Sequence, residues 1–136
     1  MEQLRNIRPK FLVADDMPAI ASLVSELLRE AGADVVGLAY DGAEALQMFD
    51  DNAPDGVVLD IEMPELNGFQ VLEAIRTRER GTRCLAIVLT AHSERSMREQ
   101  ALASGADHFL HKSTELERLL KIVPDFIDRL DRSLLV

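Results

Sequence analysis

Five short apolar runs, each followed by an amphipathic stretch, constrain this chain more than any other feature. The runs are Phe11-Leu12-Val13-Ala14, Val35 to Ala39, Gly56-Val57-Val58-Leu59, Cys84 to Leu89 and His108-Phe109-Leu110. Runs this short and this continuously apolar read as strands buried on both faces. After the first, Met17 to Glu30 carries Ile20, Leu23, Val24, Leu27 and Leu28 at three- and four-residue spacing, which predicts a helix. Ala43 to Phe49, Phe69 to Arg78 and Ser96 to Ala103 read as the next three helices, and Ser113 or Thr114 opens a fifth. Gly32 and Gly105 stand where helices should close, and Ser93 where one should be capped. Strand and helix in strict alternation imply a parallel sheet with right-handed crossovers. The expected class is α/β, a doubly wound five-stranded parallel sheet whose functional groups lie at the carboxyl ends of the strands.

The chain has 136 residues, which fits one domain spanning 1–136, with a core over about 10–127 and a helical extension over about 128–136. Its 24 acidic residues outnumber 15 Lys and Arg, so direct nucleic-acid binding and a polybasic membrane contact are both disfavoured. Cys84 is the single cysteine, which excludes an intrachain disulfide and a Cys-based zinc site. The segment Met1 to Arg5 has no apolar signal core, and the longest apolar run falls far short of the roughly 20 residues that span a bilayer. A cytoplasmic location is the expectation.

The strand ends carry the chemistry. Asp15-Asp16 follow the first strand, Asp60 ends the third, Thr90 the fourth, and Lys112 follows the fifth. Three carboxylates, a hydroxyl and an ammonium on one sheet edge are the ingredients of a magnesium-dependent phosphoryl site. Carboxylates are hard oxygen ligands suited to Mg²⁺. A divalent cation and Lys112 together relieve the repulsion among the acids and leave Asp60 able to attack phosphorus.

This pattern resembles the receiver domain of two-component response regulators. The residues that carry the resemblance are Asp15-Asp16, the stretch Val57-Val58-Leu59-Asp60-Ile61-Glu62-Met63-Pro64-Glu65-Leu66-Asn67-Gly68, Thr90-Ala91 and Lys112. It implies the flavodoxin-like (βα)5 receiver fold over essentially the whole chain. Asp60 then corresponds to the phosphoacceptor, loaded from a sensor histidine kinase or a histidine phosphotransfer protein. Asp16 would bind Mg²⁺ directly and Asp15 mainly through water, with Asp60 and the Glu62 backbone carbonyl completing the protein ligands. Thr90 corresponds to the switch hydroxyl, Phe109 to the switch aromatic, and Lys112 to the partner of a phosphoryl oxygen. Glu62 and His92, two residues past Asp60 and Thr90, are expected to tune phosphoryl lifetime. Many relatives carry Pro, often in a cis bond, where this chain has Ser113.

The resemblance also implies a signalling switch rather than a free-standing enzyme. Output would pass to a downstream protein through the surface of the fourth helix, fifth strand and fifth helix, with Arg95, Met97, Arg98, His108 and Glu115 as candidates. Two other readings compete. One is a receiver-like binding module that is never phosphorylated. The other is an aspartyl-phosphate phosphohydrolase of the haloacid dehalogenase type, which wants an Asp where this chain has Glu62.

Three further features have structural readings. Arg76, Arg78, Arg80 and Arg83 read as a solvated basic face, and Cys84 as a buried strand residue. His92, His108 and His111 share no metal-ligand spacing on one element. In the last helix Leu116, Leu120, Val123, Ile127, Leu130 and Leu134 form a heptad-like stripe, widened by Leu119 and Phe126, with Pro124 placed to kink or split it. Up to Val123 the stripe should pack on the sheet. Beyond it, Ile127, Leu130, Leu134 and Leu135 are candidates for a partner or homodimer contact.

Overall fold

A computed structural model describes residues 7–92 and 94–134. The strands are β1 (Lys10–Ala14), β2 (Asp34–Ala39), β3 (Gly56–Asp60), β4 (Leu85–Thr90) and β5 (His108–His111). The helices are α1 (Pro18–Glu30), α2 (Gly42–Asn52), α3 (Gly68–Thr77), α4 (Arg95–Ala103) and α5 (Leu119–Leu134). All four strand pairings are parallel and the spatial order is β2-β1-β3-β4-β5. The sequence therefore starts mid-sheet, moves one place outward, and then crosses back. That reversal beside β1 and β3 opens a crevice at their carboxyl ends.

Successive strand residues face opposite layers. Leu12, Ala14, Val57, Leu59, Ala86, Val88 and Phe109 join one core with α2, α3 and α4. Phe11, Val13, Val58, Ile87, Leu89 and Leu110 join the other with α1 and α5. This is why the runs are apolar without alternation: both faces are covered.

Most helix boundaries move by a residue or two, and local chemistry explains where. Pro18 stands at the first position of α1, where a missing N–H costs nothing, and Met17 occupies the cap without a capping side chain. Gly32 follows α1 at φ +107°, a conformation that suits glycine. Helix α2 reaches Asn52, beyond the expected end at Phe49, and Asp41 caps it by accepting from the Glu44 amide at 2.7 Å. Helix α3 starts at Gly68 behind a reciprocal cap in which Asn67 and Gln70 each accept from the other's amide at 2.9 Å. Gly68 is needed there, because a Cβ would fall 2.4 Å from the Asp60 carbonyl oxygen. Strand β4 begins at Leu85, one residue after Cys84, which is buried as expected. Glu94 holds the cap position of α4 without a side-chain bond, and Ser93 lies outside the described residues.

The last helix departs most. It does not open at Ser113 or Thr114, because residues 111–115 are engaged in a loop of their own. A short 3-10 helix over Leu116–Arg118 leads into α5. Pro124 sits inside α5 without splitting it. The buried face runs through Leu116, Leu119, Ile122, Val123 and Phe126, so Leu116 and Val123 of the expected stripe pack inward with Leu119 and Phe126, while Leu120 departs from it and is exposed. Ile127 and Leu130 are half-buried and pack on the α1 side of the core rather than standing free. The Leu134 side chain and Leu135 lie outside the described residues.

The basic run is not uniformly solvated either. The Arg76 guanidinium donates to the carbonyls of Gly81, Cys84 and Gly105 at 2.6 to 3.1 Å and reaches Asp107 at 3.2 Å. Arg78 bridges α3 to Asp50 of α2. Only the sequence-distant acceptors, brought in by the crossovers, reveal these roles.

Candidate functional site

The carboxyl ends of β1, β3, β4 and β5 meet at one crevice. Asp15 follows β1 directly, and its Oδ1 accepts the Met17 amide at 2.9 Å, bending the chain into α1. Asp15 is thus a turn residue and a site residue at once. Asp16, the next residue, is exposed beside it. Asp60 is the last residue of β3 and is 3% exposed. One carboxylate oxygen from each of Asp15, Asp16 and Asp60 lies within 4.8 Å of the others.

Lys112 closes the group from β5. Its Nζ lies 2.8 Å from Asp15 Oδ2 and 3.1 Å from Asp60 Oδ2, and its side chain is 11% exposed. The Lys112 ammonium is thus the charged partner of the fully buried Asp15 Oδ2. One ammonium against three carboxylates leaves the cluster net negative, which favours a further cation. With three hard oxygen donors converging, the residues present fit a Mg²⁺ ion.

The electrostatics follow from burial and crowding. Burial pushes the Asp60 carboxyl up from its ordinary 3.8 to about 6; the negative charge of Asp15 adds to this, and Lys112 opposes it. Burial acts to lower the Lys112 ammonium, but its contacts with Asp15 and Asp60 outweigh burial and raise it. Lys112 is therefore a fixed positive charge at the pH of any cell.

Thr90 ends β4, buried, and its Oγ1 accepts the His92 amide at 2.9 Å. Glu62 and His92 lie on separate loops, yet His92 Nε2 and Glu62 Oε1 are in contact. Phe109 is buried in the α3–α4 core and also lines a cavity of about 260 Å³ with His92, Arg95, Arg98, His111 and Glu115. Asp15, Asp16, Asp60 and Lys112 thus meet in the crevice, the Thr90 carbonyl accepts the Lys112 amide at its edge, and Phe109 shares the adjoining cavity with His92. The described residues contain no cis peptide, so the Lys112–Ser113 bond is trans.

A second feature was not anticipated. A cleft of about 570 Å³ beside Asp16 and Glu62 is floored by Ile61, Met63, Phe69 and Met97. Its walls come from the β3–α3 loop and α4, which adjoin only in the folded chain. No spacing within either segment signals it.

Comparison with known proteins agrees with this geometry. A family model described as the response regulator receiver domain matches residues 11–124. The chain is 36% identical to the DNA-binding dual master transcriptional regulator RpaA of Synechocystis sp. over 124 residues, 91% of this chain and 51% of that protein. It is 39% identical to the transcriptional regulatory protein TrcR of Mycobacterium tuberculosis over 111 residues, 82% of this chain and 42% of that one. The chain thus spans about half the length of these curated relatives. Among solved structures, the signal receiver domain of NarL from Mycobacterium tuberculosis superposes with a TM-score of 0.80 at 34% identity, covering 89% of this chain and 97% of that one. The chemotaxis response regulator CheY4 of Vibrio cholerae gives 0.78 at 30% identity, with 89% and 99% covered. No helix among the described residues is long and apolar enough to cross a membrane.

Proposed function

The chain belongs to the response regulator receiver domains, and from that membership we propose that Asp60 is its phosphoacceptor, loaded by a sensor histidine kinase or a histidine phosphotransfer protein. The observation that carries this reading is the buried Asp60 carboxylate held 3.1 Å from Lys112 Nζ within the Asp15, Asp16 and Asp60 cluster. In the transfer, an Asp60 oxygen forms a bond to phosphorus as the bond from the donor's imidazole nitrogen breaks. The electron pair of that bond leaves with the imidazole. Lys112 meets the charge on one phosphoryl oxygen, and the Thr90 hydroxyl offers a donor to another. Asp15, Asp16, Asp60 and the Glu62 carbonyl would hold Mg²⁺. When bound, the ion would neutralise phosphoryl charge, which is most of what such a transfer requires.

Once loaded, the phosphoryl group biases two arrangements of the β4–α4 segment through Thr90 and Phe109. The output surface is formed by α4, β5 and α5, presented to a downstream protein or to a second copy of the chain. Arg95, Met97, Arg98, His108 and Glu115 lie on it. Glu62 and His92, in contact at the crevice mouth, set phosphoryl lifetime by controlling the approach of water. Core residues 10–127 carry these parts, and α5 runs on past them to Leu134. The location is proposed to be the cytoplasm.

The test is direct. Incubation with acetyl phosphate and Mg²⁺ should add one phosphoryl mass to the wild type and none to Asp60→Asn. A correctly folded wild type that gains no mass sinks the reading and favours an unphosphorylated binding module. Rapid turnover of unrelated phosphomonoesters would instead favour a phosphohydrolase. Glu62→Ala and His92→Ala should each alter the rate at which the adduct decays, and unchanged decay in both removes their assigned role.

A further inference from the structure

Lys112 must hold a flexible side chain between two carboxylates, and the backbone beneath it is fixed in an unusual way. The His111 amide donates to Glu115 Oε1 at 2.9 Å, and the Glu115 amide donates back to the His111 carbonyl at 3.0 Å. Ser113 directs its amide, at 3.2 Å, and its hydroxyl, at 2.9 Å, to His111 Nδ1. A backbone amide can only donate, so Nδ1 is the acceptor and the ring proton resides on Nε2. Arg118 holds the other Glu115 oxygen at 3.2 Å. The Lys112 amide itself donates to the Thr90 carbonyl at 2.8 Å. The residues before and after Lys112 are therefore tied to each other by side chains.

No residue from His108 to Arg118 is a proline, so nothing in this loop restricts the backbone by its covalent structure. Lysine carries one of the largest side-chain entropies, and that freedom is lost when its ammonium is held in one place. A loop free to rotate on either side of Lys112 would add backbone freedom to that loss. The hydrogen-bonded ring of His111, Ser113 and Glu115 removes it before any ligand arrives.

We infer that His111 is a positioning residue for the phosphoryl-transfer site: its Nδ1 gathers Ser113 and so aims the Lys112 ammonium at the place where a phosphoryl oxygen will sit. The inference rests on the reading of Asp60 as phosphoacceptor. His111 makes no hydrogen bond to Asp15, Asp16 or Asp60 and acts only through Lys112.

The experiment measures the rate of Asp60 phosphorylation by acetyl phosphate with Mg²⁺, read by intact mass. His111→Phe keeps a planar ring and deletes the acceptor. His111→Asn places an amide oxygen where Nδ1 stands. Loss of the acceptor should slow phosphorylation roughly five- to tenfold, the factor that one net hydrogen bond is worth. His111→Asn should recover most of the rate, which a nonspecific packing role would not predict. In a Lys112→Ala background, His111→Phe should cause no further slowing. An unchanged rate in His111→Phe, or the same fold-loss with Lys112 absent, overturns the inference. Should His111→Phe fail to fold by circular dichroism, His111→Leu serves instead: it also lacks the acceptor, and a rate equal to wild type is again decisive against it. A Lys112→Ala variant as fast as wild type would overturn the functional reading itself rather than the positioning role alone.

Discussion

Replacing Asp60 by Asn should make this protein more stable at neutral pH, and the site geometry says by how much. Asp60 is buried, shares its crevice with Asp15, and is held at about 6 instead of 3.8. The folded state thus holds a proton on this carboxyl more tightly than the unfolded chain does. Each pH unit between those two values is worth about 1.4 kcal/mol, so the ionised carboxylate costs the native state about 3 kcal/mol above pH 6. Because the folded value is raised, the wild type loses this increment as pH climbs from about 4 to 6. Below pH 3.8 both states carry the proton and no difference remains. Asn has similar size, needs no proton and can accept from Lys112, so it should be more stable by about 2 to 3 kcal/mol at pH 7.5. Urea denaturation followed by circular dichroism, with a chelator present and at several pH values, reads this directly. Millimolar Mg²⁺ should then stabilise the wild type more than the variant, because it binds a native set that Asn weakens. The reasoning is refuted if Asp60→Asn is no more stable than wild type at pH 7.5 without metal. It is equally refuted if the difference persists undiminished at pH 4.

Three further predictions concern the scaffold. Arg76→Leu should destabilise the fold by roughly 2 to 4 kcal/mol in urea titrations, because the carbonyls of Gly81, Cys84 and Gly105 lose their charged donor; a loss below about 1 kcal/mol would show those carbonyls well served by water. Asn67→Ala should cost about 1 kcal/mol by removing the cap of α3, and no change in the unfolding midpoint would contradict the cap. Cys84, whose thiol burial pushes up to about 12, should resist a thiol-reactive disulfide reagent in the native state and react at once in denaturant.

Much of this protein was legible along the chain because its cues are local. The five apolar runs mark strands buried on both faces, and β–α alternation then leaves little choice but a parallel, doubly wound sheet. The polar residues ending those runs had to share one edge, since parallel strands present all their carboxyl ends on the same side. Asp15, Asp16, Asp60 and Lys112 accordingly lie together, with Thr90 on the adjoining strand end, where its carbonyl accepts the Lys112 amide. The Asn67–Gln70 cap is equally local in Asn-x-x-Gln, and it starts α3 at Gly68, one residue before the expected Phe69.

Tertiary structure alone decided what depends on contacts between distant residues. Arg76 looked like one of four solvated arginines until the crossover to β5 brought Gly105 and Asp107 to it. Leu120 fits a heptad stripe but points outward, because the ridge of α5 that meets the sheet is set by how α5 lies against α1 and β1. The Glu62–His92 contact and the His111–Ser113–Glu115 ring likewise appear only once the loops have folded. Periodicity reports which side chains seek the core, and strand ends report which groups will gather. Neither reports the angle at which elements pack or the partner a polar side chain finds. Those are properties of distances between residues far apart in the chain, which exist only after the sheet has closed.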